Sequence, residues 1–121
     1  MASAPEFVAV CQLTDLQATG SRGFVLGGGD WPLRGLVVRT HSGDIRAFVN
    51  RCPHAGHRLE LREHDFLSSD RQWIQCRSHG ALFDLDQGRC VAGPCPGRQL
   101  TQLPVQILDK TIRIARPANS G

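Results

Sequence analysis

Two short pairs of side chains, Cys52-Pro53-His54 and Cys76-Arg77-Ser78-His79, restrict what this chain can fold into more than any other feature. Each pair offers one thiolate and one imidazole, and 21 residues separate His54 from Cys76. A glycine follows each pair within two residues, Gly56 and Gly80, where backbone can turn tightly around a bound centre. Two Cys and two His in a small domain suggest a metal. Zinc is one candidate, but the usual zinc-finger order places two Cys first and two His later, the His pair spaced on a helix. Here each half-site is mixed, and Cys-x-His is too short to present both ligands from one helical face. Mixed pairs suit two loops that face each other, each giving one ligand to each of two metal atoms. A structural zinc module stays open as the alternative.

A Rieske [2Fe–2S] centre needs this arrangement, with two Cys on one iron and two His on the other. Asn50-Arg51-Cys52-Pro53-His54-Ala55-Gly56 and Cys76-Arg77-Ser78-His79-Gly80-Ala81-Leu82-Phe83-Asp84 resemble the two cluster loops of Rieske-type ferredoxins. Gly88-Arg89-Cys90 and Gly93-Pro94 resemble the family's proline-containing third loop, and Leu103 to Leu108 with Thr111 to Ala115 its closing hairpin. The likeness is best from about Arg34 onward. It implies one [2Fe–2S] cluster held by Cys52, His54, Cys76 and His79.

The rest of the chain reads as short strands. Phe7 to Cys11 and Gly23 to Leu26 are apolar runs. Leu36-Val37-Val38-Arg39 and Ile45-Arg46-Ala47-Phe48-Val49 flank His41-Ser42-Gly43-Asp44, a hairpin turn. Val105-Gln106-Ile107 and Ile112-Arg113-Ile114 alternate around Asp109-Lys110, a second hairpin. Short helical turns are expected at Thr14 to Gln17 and at Leu59 to His64, and no long helical periodicity occurs. The class expected is all-β, a small antiparallel sandwich or partly open barrel with a cluster-binding subdomain. At 121 residues one domain is expected over 1–121, with the cluster-binding part at about 50–100 and mobile ends at 1–5 and 117–121. Gly27-Gly28-Gly29 lacks the Lys-Ser/Thr and the helix of a phosphate cradle and reads as an inter-strand loop.

Five cysteines argue for metal binding over a disulfide framework. Cys11 reads as a buried small hydrophobe; Cys90 and Cys95 could supply extra thiolates or form a disulfide, but the resemblance places them on the loop over the cluster and implies packing roles. His41 and His64 read as solvent-facing. The resemblance aligns His57 and Ser78 with the cysteines that bridge the cluster loops in high-potential members, so that bridge cannot form here. It also aligns Ala81 and Phe83 with a serine and a tyrosine whose hydroxyls bond cluster sulfur in those members. Lacking both hydroxyls, this chain is expected to hold a low-potential centre within the Rieske range of about −150 to +300 mV. His54 and His79 are the expected exit for the electron.

The net charge of +3 comes without a basic run or an aromatic platform, which excludes nucleic acid. No apolar run approaches bilayer length and no signal segment is evident, so a cytoplasmic protein is expected. Arg51, Arg58, Arg62, Arg77 and Arg98 are candidates for a cationic docking rim. The function implied by the resemblance is one-electron transfer as a ferredoxin, from a flavoprotein reductase to a terminal oxygenase. The alternative is a small subunit of a larger redox enzyme, nitrite-reductase-like. Catalytic residues are expected to be none.

Overall fold

The computed structural model describes residues 7–17, 19–27, 32–51, 59, 64–76, 80–93 and 97–115. Among the described residues ten strands follow in order: β1 (Val8–Gln12), β2 (Ser21–Leu26), β3 (Leu33–Arg39), β4 (Ile45–Val49), β5 (Ile74–Gln75), β6 (Leu82–Phe83), β7 (Cys90–Ala92), β8 (Gln102–Leu103), β9 (Val105–Leu108) and β10 (Thr111–Ile114). One 3₁₀ turn, Leu13–Leu16, links β1 to β2, close to the helical turn expected at Thr14 to Gln17. Among the described residues no helix is long and apolar enough to cross a membrane.

The strands form three antiparallel sheets, ordered β2-β3-β4-β8, β1-β10-β9 and β5-β6-β7. None closes on itself, so the architecture is layered and not a barrel. The four-stranded sheet is the middle layer, and successive residues along it serve two cores. Leu36, Val38 and Phe48 pack with Leu59, Phe66, Leu67, Ile74, Cys76, Ala81, Phe83 and others on the side of β5-β6-β7. Val37, Ala47, Phe24, Leu26 and Leu103 pack with Cys11, Leu16, Ile112 and Ile114 on the side of β1-β10-β9. A strand buried on both faces reads as a continuous apolar run, and this is why Leu36-Val37-Val38 shows no alternation. Each such side chain contributes about 1.5–3 kcal/mol of transfer free energy.

Both expected hairpins form. Arg39 pairs with Ile45 across the turn at His41 to Asp44, where Thr40 N–H donates to the Asp44 carbonyl at 2.8 Å. Leu108 pairs with Thr111 around Asp109-Lys110. Both central residues of that second turn have positive φ, +51° and +65°, the signature of the type I′ turn that fits strand twist. Neither is glycine, so the turn carries left-handed strain.

His64 departs from the solvent-facing expectation. It is half-buried with φ +66°, its Nδ1 accepts the Gly23 N–H at 3.0 Å, and its carbonyl accepts the Ser21 hydroxyl at 2.7 Å. Buried Ser21 Oγ in turn accepts the Phe66 N–H at 3.3 Å. A polar sequence context hid a histidine used to tie β2 to the chain before β5. The turn expected at Leu59 to His64 falls mostly outside the described residues. His41 is exposed in its turn, as expected.

Lys110→Gly removes left-handed strain at a position whose carbonyl, which accepts the Leu13 N–H, is unaffected. It is expected to raise stability by about 0.5–1 kcal/mol. Urea unfolding at fixed pH measures this; a lower midpoint would show that the lysine side chain stabilises the turn.

Candidate metal centre

Of the four expected ligands, Cys76 lies among the described residues, and Cys52, His54 and His79 lie outside them. Cys76 follows β5 at the base of a tight loop. Its N–H donates to the Ala81 carbonyl at 2.8 Å and its carbonyl accepts the Gly80 N–H at 2.8 Å. These bonds close the loop that carries Ser78 and His79, and Gly80 supplies the φ of +73° that the return requires. Cys76 is fully buried, in the core that also holds Leu59, Ile74, Ala81 and Phe83. Cys76 thus sits in an apolar core that it shares with Leu36, Val38 and Phe48 of the middle sheet.

The first loop leaves the end of β4. Val49 N–H donates to the Thr101 carbonyl at 2.8 Å and Asn50 N–H to the Arg34 carbonyl at 2.9 Å, which anchors the exit. The chain returns at Leu59, whose N–H donates to Asn50 Oδ1 at 2.8 Å. Sequence reading gave Asn50 no role. Its signal was a polar residue at the end of an apolar strand, two positions before the expected ligand Cys52.

The third loop presses on the second. A Cβ placed on Gly93, at φ +103°, would sit 2.7 Å from the Ala81 Cα, so only glycine permits this approach. Leu82 pairs with Ala92 beside it. Ala81 and Phe83 are both fully buried, so their lack of hydroxyls is a property of the floor itself.

The remaining cysteines divide as follows. Cys11 and Cys90 are buried thiols in separate cores, and Cys90 Sγ donates to the Ala92 carbonyl at 3.4 Å. Burial, with Asp15 nearby, pushes the Cys11 thiol up from 9.0 to about 11, against a smaller opposing pull from Arg22. A thiol held neutral in this way is packing, not a ligand. Cys95 and His57 lie outside the described residues, as do Arg58, Arg62 and Arg77. Arg51 and Arg98 are exposed. Among the described residues no group of three His, Cys, Asp or Glu side chains is placed to hold a competing metal.

The donor set of two thiols and two imidazoles that the sequence offers, with Cys76 fully buried, fits an iron–sulfur centre. The model of the Rieske [2Fe-2S] domain family matches residues 6–110. The chain belongs to the Rieske [2Fe-2S] family. No curated protein matches its sequence. The ferredoxin of carbazole 1,9a-dioxygenase from Nocardioides aromaticivorans IC177 is 24% identical, with a TM-score of 0.71 over 92% of this chain and 98% of that one. A chain from the complex of reduced oxygenase and oxidized ferredoxin in carbazole 1,9a-dioxygenase is 22% identical, with a TM-score of 0.71 over 98% and 100%. The cyanobacterial plasma membrane Rieske protein from Synechocystis PCC 6803 is 25% identical, with a TM-score of 0.64 over 90% and 99%. At these identities the first two establish a shared fold. A Rieske domain carries one [2Fe–2S] cluster, whose chemistry is the gain and loss of one electron.

Two outcomes are expected. Ala81→Ser with Phe83→Tyr introduces two hydroxyls into the buried floor, at the positions where the resemblance implies donors to cluster sulfur, and should raise the reduction potential; protein-film voltammetry showing no shift would count against the role of the floor. For Cys11, the fold favours the neutral thiol, so its share of stability is complete below pH 9 and is lost as pH rises through about 11. Thermal unfolding from pH 8 to 11 should therefore decline more steeply in the parent than in Cys11→Ala. Parallel slopes would contradict the raised pKa.

Proposed function

We propose that this Rieske domain is a ferredoxin that carries single electrons from a flavoprotein reductase to a terminal oxygenase. In this reading residues 1–121 are one domain with its cluster-binding part at about 50–100, and Cys52 and Cys76 bind one iron while His54 and His79 bind the other. The observation that carries the proposal is the near end-to-end overlay on the ferredoxin of carbazole 1,9a-dioxygenase. The hydroxyl-free floor at Ala81 and Phe83 supports it, because a carrier that feeds an oxygenase needs a low potential. Buried thiols at Cys11 and Cys90 accord with a cytoplasmic setting.

In this reading each residue has a defined task. The cluster, when bound, accepts and releases the electron. The closed loop at Cys76 to Ala81 holds one ligand pair, and the apolar floor excludes water beneath it. Exposed Arg51 and Arg98 face outward near the loop ends, where they favour an acidic partner surface at low ionic strength.

Purified protein is expected to be brown, with two irons and two labile sulfides per chain and a Rieske-type EPR signal on reduction. Cys52→Ser and His54→Ala should each lose that signal. A flavoprotein reductase with NADH should reduce the parent, and the reduced protein should be oxidised by a terminal oxygenase. A colourless chain with one zinc would overturn the cofactor, and full reduction without onward transfer to any oxygenase would overturn the partner.

A further inference from the structure

The two ligand loops are closed by different means. In the second, backbone closes on backbone, Cys76 with Ala81 and Gly80. In the first, the chain has left its sheet partner, and the N–H that re-enters the core at Leu59 meets a side chain, Asn50 Oδ1, at 2.8 Å. Both residues are withdrawn from water: Asn50 is 6% exposed and Leu59 1%. A buried N–H needs an acceptor, and here the carboxamide oxygen is the one provided. Asn50 is itself fixed, since its N–H donates to Arg34 of β3 at 2.9 Å. Leu59 packs in the same core as Cys76. Asn50 and Leu59, which bracket the segment carrying Cys52 and His54 in the sequence, are therefore bonded to each other, and Leu59 lies in the core that also holds Cys76.

We infer that Asn50 is a positioning residue for the cluster: its carboxamide oxygen holds the loop carrying Cys52 and His54 in register with Cys76. The inference rests on Cys52 and His54 being ligands. A loop fixed only at its β4 end would let the thiolate and imidazole drift relative to Cys76, and both the metal–ligand geometry and the shielding of the cluster depend on that register. Asn suits the task because it accepts a hydrogen bond without burying a charge.

The test uses the holoprotein with Asn50→Leu, similar in size without an acceptor, and Asn50→Asp, which keeps one. Asn50→Leu should lose its visible absorbance to a chelator at least about tenfold faster than the parent. Its reduced-state EPR lines should shift or broaden, and the Leu59 amide should exchange roughly 10- to 100-fold faster. Asn50→Asp keeps the acceptor at the cost of a buried charge, so it should retain the parent's EPR lines and protect the Leu59 amide better than Asn50→Leu does, with a cluster lifetime between the two. A packing role alone would leave the EPR lines of Asn50→Leu unchanged, and that result, or an Asn50→Asp that fails as Asn50→Leu does, overturns the inference. Should Asn50→Leu not fold, the parent decides: slow exchange at Leu59 supports the bond, and exchange at the rate of an open loop refutes it. Failure of the ligand assignment would appear separately, as Cys52→Ser or His54→Ala retaining the full complement of iron.

Discussion

Leu36, Val37 and Val38 are consecutive and fully buried, yet they belong to two cores, because β3 lies in a sheet covered on both faces. Phe48 and Ala47 repeat the division on β4, directly opposite Leu36 and Val37. The middle sheet therefore has no solvated face along these positions, and any displacement of it disturbs both cores at once. Such double burial is costly to deform, since interiors are close-packed and a lost methylene is felt locally. The candidate site depends on this rigidity: β4 leads into the segment that carries Cys52 and His54, and the core on one face of the sheet contains Cys76.

The elements that sequence made legible are those with local causes. The hairpins at His41 to Asp44 and Asp109 to Lys110 are set by turn residues between alternating or apolar runs, and both form where expected. Strands β5 to β8 are two or three residues long, too short for any period to register. They are defined by pairing and not by pattern: β5, β6 and β7 pair with one another in sequence order, and β8 pairs with β4, over fifty positions away. His64 was misread for the same reason, since its partners Gly23 and Ser21 lie over forty positions away.

For the site, the motif was legible and its supports were not. The Cys-x-His and Cys-x-x-His spacing pointed to the cofactor that the family match upholds. Gly80 was legible as the residue that lets the second loop return. Asn50 was not, because a strand-terminal asparagine has many bland uses and its partner is Leu59, an apolar residue contributing only backbone. Placement of Cys52, His54 and His79 lies outside the described residues, so their ligand role remains part of the proposal.

Charge explains why the floor matters. Two ferric ions, two sulfides and two thiolates sum to zero, and one electron leaves the assembly with a single negative charge. Apolar surroundings penalise that charge unless donors compensate it. At Ala81 and Phe83, fully buried and without hydroxyls, the floor supplies burial without side-chain donors. Gly93, pressed so close that a Cβ would sit 2.7 Å from the Ala81 Cα, brings no side-chain donor there either. Under the proposed function, the packing that holds Gly80 and Ala81 also disfavours the reduced state, so one apolar base would give the carrier both rigidity and a low potential.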